Sequence, residues 1–220
     1  MAVTESKGAR PEGAIKPRRR QARGERRVQQ LLDAAANVFR QSGYTGASTN
    51  AIAREAGVSP GTLYQFFPNK EAIAVELGER LIHQMRQAHG LVFTEENASL
   101  PLGEMLDAVL DPMIEFNCAN PAFLALINST DAPGRVIEEH HALHVTLQAR
   151  VEELIAVYRP DLPDDRLTQT ATMAFHLFKA GLDLILAHEG AEREAYVTES
   201  KAALYGYLAP TLGTEGAPAP

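Results

Sequence analysis

The stretch AIAREAGVSPGTLYQFFPNKEAI, residues 51–73, decides how the N-terminal part of the chain folds. It interrupts one amphipathic helix at residues 57–61 and then places four large apolar side chains in a segment that Pro68 ends. A helix of about two turns is unstable alone in water, so packing against other helices must hold it in place. Two helices joined by a tight glycine-containing turn, the second of them short, indicate a helix-turn-helix.

Apolar periodicity and capping residues predict the two helices that precede the short one. The first begins at Arg26, keeps its apolar residues on one face and ends at Gly43. Ser48 or Thr49 is the expected N-cap of the second, because a serine or threonine oxygen accepts a hydrogen bond from a free backbone amide. The short helix is therefore the third in the chain.

The short helix and the long helix after it also carry start signals. Ser59 suits an N-cap and Pro60 suits the first helical position. Leu63 and Phe67 lie one turn apart and are expected to pack the short helix onto the preceding two. Asn69 caps a long helix that runs to about residue 92. Further helices are predicted over residues 100–119, 121–129, 134–158, 164–188 and 192–209.

Charge is distributed unevenly along the chain. The net charge is −7, but residues 1–70 hold 12 Lys and Arg against 5 Asp and Glu, whereas residues 71–220 hold 9 against 23. A basic module followed by an acidic body favours DNA binding by the N-terminal part and argues against a non-specific architectural DNA binder. We expect an all-α chain with a disordered basic arm (1–23), a three-helix helix-turn-helix DNA-binding domain (24–70), a helical ligand-binding and dimerisation domain (71–210) and a disordered tail (211–220).

The composition indicates a cytoplasmic protein without a membrane span. The single cysteine, Cys118, cannot form an intramolecular disulfide, and the N-terminus has no apolar signal-peptide core. The most apolar segment, residues 173–187, is interrupted by His176, Lys179 and Asp183. No cofactor is expected.

The exposed face of the short helix is expected to contact the major groove of double-stranded DNA. Gly61 lets the backbone approach the groove floor, and Thr62 and Gln65 can meet base edges, where glutamine suits adenine. Apolar atoms of Pro60, Thr62 or Phe66 suit a thymine methyl group. The short helix therefore carries the predicted base-reading residues.

Other polar groups near the turn are expected to hold DNA phosphates. The hydroxyls of Tyr64 and Thr49 and the ammonium of Lys70 at a helix N-terminus are placed for this role. The alternative for Tyr64, as for Phe66, is a core position in a small helical bundle. The full predicted DNA-binding set is Thr49, Asn50, Ser59, Pro60, Gly61, Thr62, Tyr64, Gln65, Phe66 and Lys70, together with Arg18, Arg19 and Arg20 of the arm.

The arm itself contains the sequence KPRRRQARGERR over residues 16–27. Basic arms next to a DNA-binding module enter an adjacent minor groove or follow the phosphates. A solvated tail that only improves solubility is the alternative interpretation.

Residues 26–73 resemble the DNA-binding domain of the TetR, or tetracycline-repressor-like, family of bacterial regulators. The sequence departs from the family pattern at Phe66, where His or Tyr is frequent, and at Pro68, where Lys or a small polar residue is common. The resemblance implies an all-helical C-terminal domain that binds a small molecule and dimerises through its last two long helices. It also implies a homodimeric repressor on a palindromic operator. The matching residues are Ala35, Phe39, Gly43, Thr49, Ile52, Ala53, Ala56, Gly57, Val58, Ser59, Gly61, Thr62, Leu63, Tyr64, Phe67, Asn69, Lys70, Glu71 and Ile73.

The acidic body is expected to bind a small apolar or amphipathic effector. Methionine and phenylalanine side chains near the helix that Pro112 bends would suit such a pocket, although an ordinary core uses the same residues. A ligand packed against the long helix near His89 and Phe93 would tilt this helix and change the spacing of two recognition helices. The predicted effector residues are Phe93, Met105, Val109, Met113, Phe116, Phe123, Ile127, His144 and Phe175.

Two histidines raise a metal-dependent hydrolase as a rival interpretation. His140 and His144 share one helix face, and Glu139 or His176 could join them as ligands. No glutamate follows the first histidine in the order H-E-x-x-H, so no general base is placed beside a metal. Polar pocket lining or solvated histidines are favoured, and we expect neither a metal nor catalysis.

Overall fold

The computed structural model describes residues 16–215, with the side chains of residues 21–215. Over this part of the chain the fold is helical throughout and has no strand. The all-α architecture expected from the sequence is therefore confirmed. The helices are α1 (Lys16–Gly46), α2 (Thr49–Glu55), α3 (Pro60–Tyr64), α4 (Lys70–Gly90), α5 (Glu95–Ala98), α6 (Leu102–Ala119), α7 (Pro121–Ile127), α8 (Gly134–Tyr158), α9 (Asp164–Ala187) and α10 (Gly190–Leu212).

The regular part of α1 ends at Gly43 and α2 begins after Ser48, as the sequence predicts. The backbone of α1 breaks at Gly43, whose φ of 67° lies in the left-handed region that a residue without Cβ adopts at no steric cost. Ser48, rather than Thr49, is the N-cap of α2, and its hydroxyl accepts a hydrogen bond from the backbone amide of Ala51 at 3.2 Å.

The start of α1 differs from the prediction. This helix begins at Lys16 rather than Arg26, so the prediction of a disordered arm is wrong for residues 16–23. Pro17 suits the first turn of a helix, and the Arg, Gln and Ala residues after it extend a helix at much lower cost than a new helix needs to nucleate. Residues 1–15 and the predicted DNA-contacting side chains of Arg18, Arg19 and Arg20 lie outside the described part of the chain.

Helix α3 is five residues long and is stabilised by the core beneath it. Ser59 is its N-cap, accepting a hydrogen bond from the backbone amide of Thr62 at 3.1 Å, and Pro60 is its first residue. Leu63 and Phe67 are buried in a core that they share with α1, α2 and α4. The prediction that tertiary packing holds this short helix is therefore confirmed.

Helix α4 joins the N-terminal helices to the rest of the molecule. Asn69 caps it as predicted and accepts a hydrogen bond from the backbone amide of Ala72 at 2.8 Å. One hydrophobic core extends from α1, α2 and α3 along α4 to residues of α7 and α8. A second core is formed mainly by α6, α8, α9 and α10. Helix α4 is therefore part of the first core along most of its length.

The last two long helices approach each other closely at Gly181. A Cβ at this position would collide with Ser200 on α10, so the close approach requires glycine. By length and composition α9 could cross a membrane, and its buried residues Ala171, Ala174, Phe178 and Ile185 belong to the second core.

The C-terminal boundary is also later than predicted. Helix α10 continues to Leu212 through Pro210, so the prediction of a disordered tail from residue 211 is wrong for its first residues. Pro210 removes one backbone hydrogen bond, but Leu208 and Leu212 are buried in the second core and keep this turn in place. The structure describes nothing beyond residue 215.

Candidate DNA interface and effector cavities

The exposed face of α3 carries the residues predicted to meet DNA bases. Pro60, Gly61 and Gln65 are exposed, Thr62 is half-buried, and Tyr64 has 52% of its surface exposed. An aromatic side chain so exposed is not a core residue, so the alternative interpretation of Tyr64 is wrong. Near the start of α2, Asn50 is exposed as well.

A hydrogen bond between Thr49 and Tyr64 joins the N-terminus of α2 to the end of α3. Thr49 Oγ1 and the Tyr64 hydroxyl are 3.0 Å apart, and either can be the donor. When one hydroxyl donates to the other, the second keeps its own proton for an outside acceptor. The pair can therefore donate one hydrogen bond to a DNA phosphate while it fixes the position of the Tyr64 ring.

Ser59 and Thr62 are partly engaged within the protein. The Ser59 hydroxyl accepts from the Thr62 backbone amide and lies 3.0 Å from Thr62 Oγ1. Ser59 therefore defines the start of α3, and the Thr62 hydroxyl is held beside this cap. Contacts of either side chain with DNA remain predictions.

Lys70 has a role that the sequence did not indicate. Its ammonium donates hydrogen bonds to the backbone carbonyls of Tyr44 at 2.8 Å and Thr45 at 3.3 Å, and lies 4.4 Å from the centre of the Tyr44 ring. Two of its three N–H groups are therefore used to attach the start of α4 to the end of α1. One N–H is left for a phosphate, and the contact of Lys70 with DNA stays a prediction.

Phe66 does not lie on the exposed face of the recognition helix as predicted. It is half-buried against the N-terminal core. Phe66 follows Leu63 by three residues, so it lies beside the buried Leu63 at the edge of the packed face, just after α3 ends at Tyr64. The Phe67 backbone amide still donates to the Leu63 carbonyl at 3.0 Å.

In the C-terminal body, a first cavity lies between α6, α8, α9 and α10. It has a volume of about 60 Å³ and apolar walls apart from the Tyr158 hydroxyl, which donates to the backbone carbonyl of Leu100. We call it the apolar chamber. Of the predicted effector residues, its walls include Phe93, Met105, Val109, Met113 and Phe175.

A second cavity of about 310 Å³ adjoins the apolar chamber and is lined by several histidines. We call it the histidine chamber. Met113, Phe123, Ile127, His144 and Phe175 are the predicted effector residues in its walls. Two of its other polar walls are His89, near which the ligand was expected, and His140, for which pocket lining was one of the favoured interpretations. The sequence prediction did not include the remaining polar walls, which are Asn117, Asn128, His141, Lys179 and Asp183.

Phe116 lines neither of these two cavities, contrary to the prediction. It is half-buried against the core that includes α1 and α4. Met113 and Asn117, one turn apart on α6, are the residues of this helix that line the histidine chamber.

Aromatic and imidazole rings form a continuous stack along one wall of the histidine chamber. The ring centres of Phe123 and His140 are 5.3 Å apart, those of His140 and His144 are 4.1 Å apart, and those of His144 and Phe175 are 5.4 Å apart. The stack crosses from α7 through α8 to α9. It therefore connects three helices of the body through one set of contacts.

Burial keeps these histidines uncharged at neutral pH. Desolvation, with a smaller contribution from His144, lowers the pKa of His89 to about 4, and desolvation also lowers the pKa of His140 to about 4. The pKa of His144 is lowered as well, first by burial and then by the charge of Lys179. Among residues 21–215, no three His, Cys, Asp or Glu side chains are grouped to hold a metal ion.

Comparisons with known proteins match both halves of the chain. Residues 31–77 match the family described as bacterial regulatory proteins, tetR family, and residues 100–212 match the tetracyclin repressor-like C-terminal domain. Together these two regions cover the exposed α3 face and most of the residues around the cavities.

Individual relatives match parts of the chain. An uncharacterised HTH-type transcriptional regulator, YhgD from Bacillus subtilis, is 34% identical over 86 residues, which are 39% of this chain and 44% of YhgD. The fatty acid metabolism regulator protein of Bacillus subtilis is 44% identical over 48 residues, 22% of this chain and 25% of that protein. The chain thus matches less than half the length of either relative.

One solved structure is similar to this chain over nearly the whole length of that structure. The TetR-family transcriptional regulator from Streptomyces coelicolor is 26% identical, with a TM-score of 0.55, covering 86% of this chain and 99% of that one.

Proposed function

We propose that this chain, which belongs to the TetR family of bacterial transcriptional regulators, is a ligand-responsive repressor that binds a palindromic operator as a homodimer. Family membership makes it a DNA-binding regulator rather than an enzyme. The main support for this proposal is the exposed face of α3. On this face, Gln65 and the Thr49–Tyr64 pair lie at the surface, above a buried core. A cytoplasmic location is part of the proposal.

Base reading is assigned to Gln65 and Thr62, and phosphate binding to the Thr49–Tyr64 pair. Gln65 is exposed at the end of α3, where its amide can form two hydrogen bonds with adenine. The hydroxyl pair keeps one proton for a phosphate, which fixes orientation but does not read sequence. Contact of Arg18, Arg19 and Arg20 with DNA is also part of the proposal.

Apolar side chains on the last two helices support dimerisation. Met173 and Leu184 on α9 and Tyr205 on α10 are large apolar residues left exposed in the single chain. Two helices from each subunit can bury such residues in a four-helix interface. A dimer would place two α3 helices about one turn of DNA apart, on two major-groove half-sites.

The ligand switch is assigned to α4 and α7. Helix α4 starts beside the DNA-binding helices, and its last turn contains His89, which lies in the wall of the histidine chamber. Helix α7 packs against α1 and contributes Phe123 to the same wall. A ligand that prefers one arrangement of these helices shifts the population towards it and so changes the spacing of the two α3 helices.

The experiment is to select a duplex from a random pool with the purified protein and measure binding by fluorescence anisotropy. The proposal expects two subunits per duplex and a preference over random sequence of at least about 1,000-fold at physiological salt. Equal affinity for selected and random duplexes, or one subunit per selected duplex, would contradict it.

A further inference from the structure

His89, in the last turn of α4, is a buried histidine without a hydrogen-bond partner. It is 4% exposed, and neither Nδ1 nor Nε2 has a partner among the described residues. Buried ring nitrogens are normally paired, because leaving them unpaired destabilises the folded protein. Since His89 lies in the wall of the histidine chamber, there is space beside it for a partner to bind.

We propose that the two chambers together bind one amphipathic molecule, whose oxygen-containing head group hydrogen-bonds to His89 and whose apolar tail enters the apolar chamber. This proposal specifies the ligand of the proposed regulator. It rests on the proposed function only for the effect of the ligand on DNA affinity. Binding to the free protein does not depend on that effect.

The polar walls of the histidine chamber define the head group. A neutral imidazole has one N–H donor and one nitrogen acceptor, which match a hydroxyl or carboxyl group. His140 and His144 offer further ring edges, and the buried Asn117 amide, which donates to the Met113 carbonyl at 2.8 Å, leaves its oxygen as an acceptor. An oxygen head group can therefore pair with more than one of these residues.

The charges around His89 argue against a cationic head group. Lys179 lines the histidine chamber, and Arg86 and Arg150 line a groove of about 290 Å³ on another side of His89. Among the described residues, Asp183 is the one carboxylate in the histidine-chamber wall, and both it and Lys179 are exposed. Burial already opposes a positive charge on His89, as its lowered pKa indicates. An alkylammonium ion should bind less tightly than an alcohol or acid of equal length.

The wall between the chambers defines where the tail lies. Met113, Leu147, Phe175 and Phe178 line both cavities, so these side chains lie between them. Methionine is unbranched and changes rotamer readily, which allows a tail to pass from one chamber to the other. An elongated apolar tail therefore fits better than a compact polar molecule.

The test measures binding of 1-decanol, decanoate and decylammonium to the full chain by calorimetry, without DNA. We expect 1-decanol or decanoate to bind, with decylammonium at least about tenfold weaker. His89→Leu should reduce the affinity of the best of the three at least about tenfold and leave the unliganded unfolding temperature unchanged or higher, because it removes an unpaired polar group. His89→Gln, which keeps a donor and an acceptor, should retain most of the affinity.

His83→Leu is the matched control, because His83 is exposed on the same helix and lines none of the cavities described here. Unchanged affinity in His89→Leu, tightest binding of decylammonium, or no binding of any probe would overturn the inference. If His89→Leu does not fold, Met113→Trp, which fills the wall, must reduce the affinity instead. Binding that depends on His89 but leaves operator affinity unchanged would contradict the proposed function and leave this site intact.

Discussion

The hydroxyl of Thr45 donates a hydrogen bond to the carboxylate of Asp131 at 2.9 Å, which joins the end of α1 to the segment after α7. The backbone carbonyl of Thr45 also accepts from Lys70 at the start of α4. Thr45 thus contacts α4 and the segment that follows α7. Helix α7 carries Phe123, which stacks on His140 in that chamber.

The first prediction concerns this connection. Thr45→Val removes the donor to Asp131 and should reduce the ligand-induced loss of operator affinity, expected to be about 5- to 150-fold, by a factor of two or more. The exposed hydrogen bond contributes little to folding, so the free energy of unfolding should fall by no more than about 1 kcal/mol. Thr146→Val, an exposed threonine on α8, is the control. Anisotropy titrations with and without ligand check this, and an unchanged ratio would exclude Thr45 from the coupling.

The second prediction concerns base reading. Gln65→Ala should cost about 1–3 kcal/mol on the selected operator and relax the sequence preference at one position. The side chain is exposed, so folding should be unaffected. Competition binding against a panel of single-base operator variants measures this. An equal loss on operator and random DNA would remove the base-reading role.

The third prediction separates the two roles of Lys70. Lys70→Ala should weaken binding to all DNA sequences alike and lower the salt slope by about one unit if the free N–H contacts a phosphate. It should also reduce the free energy of unfolding by about 1–3 kcal/mol, because the ammonium bonds to the Tyr44 and Thr45 carbonyls are lost. Reduced stability with an unchanged salt slope would mean that Lys70 has only the structural role.

The fourth prediction is a pH dependence of stability. The folded pKa of His89 is about 4, below its ordinary value of 6.5, so the unfolded state binds more protons between these values. Stability is therefore fully present above pH 6.5 and falls as the pH drops towards 4, by at most about 3 kcal/mol from this residue. Urea denaturation at several pH values should show that the free energy of unfolding depends less steeply on pH in His89→Leu than in the unchanged protein. An identical dependence in both proteins would mean that His89 is not the buried neutral group described here.

The sequence predicted the parts of the fold that depend on local signals. Helices begin or end as expected at Ser59, Asn69 and Gly43, because capping and left-handed backbone conformations are properties of single residues. The burial of Leu63 and Phe67 followed from helical spacing alone.

Features that depend on tertiary packing were not predictable in this way. Phe66 packs against the N-terminal core at the edge of the face that carries Leu63 and Phe67, a contact that helical spacing alone leaves undecided. The single-turn helix α5 lies between the predicted helices and has no apolar period of its own. Eight of the nine predicted effector residues line the two chambers, but the unpaired state of His89 becomes visible only when the surrounding helices are in place.

One measurement tests the central claim, a homodimer released from its operator by a small molecule, most directly. The selected operator is titrated with protein in the absence and presence of a saturating amount of the compound that most raises the unfolding temperature of the free protein. The account predicts that the compound weakens operator binding by about 5- to 150-fold and itself binds the operator complex more weakly by the same factor. Operator affinity that stays the same when this compound is bound would contradict it.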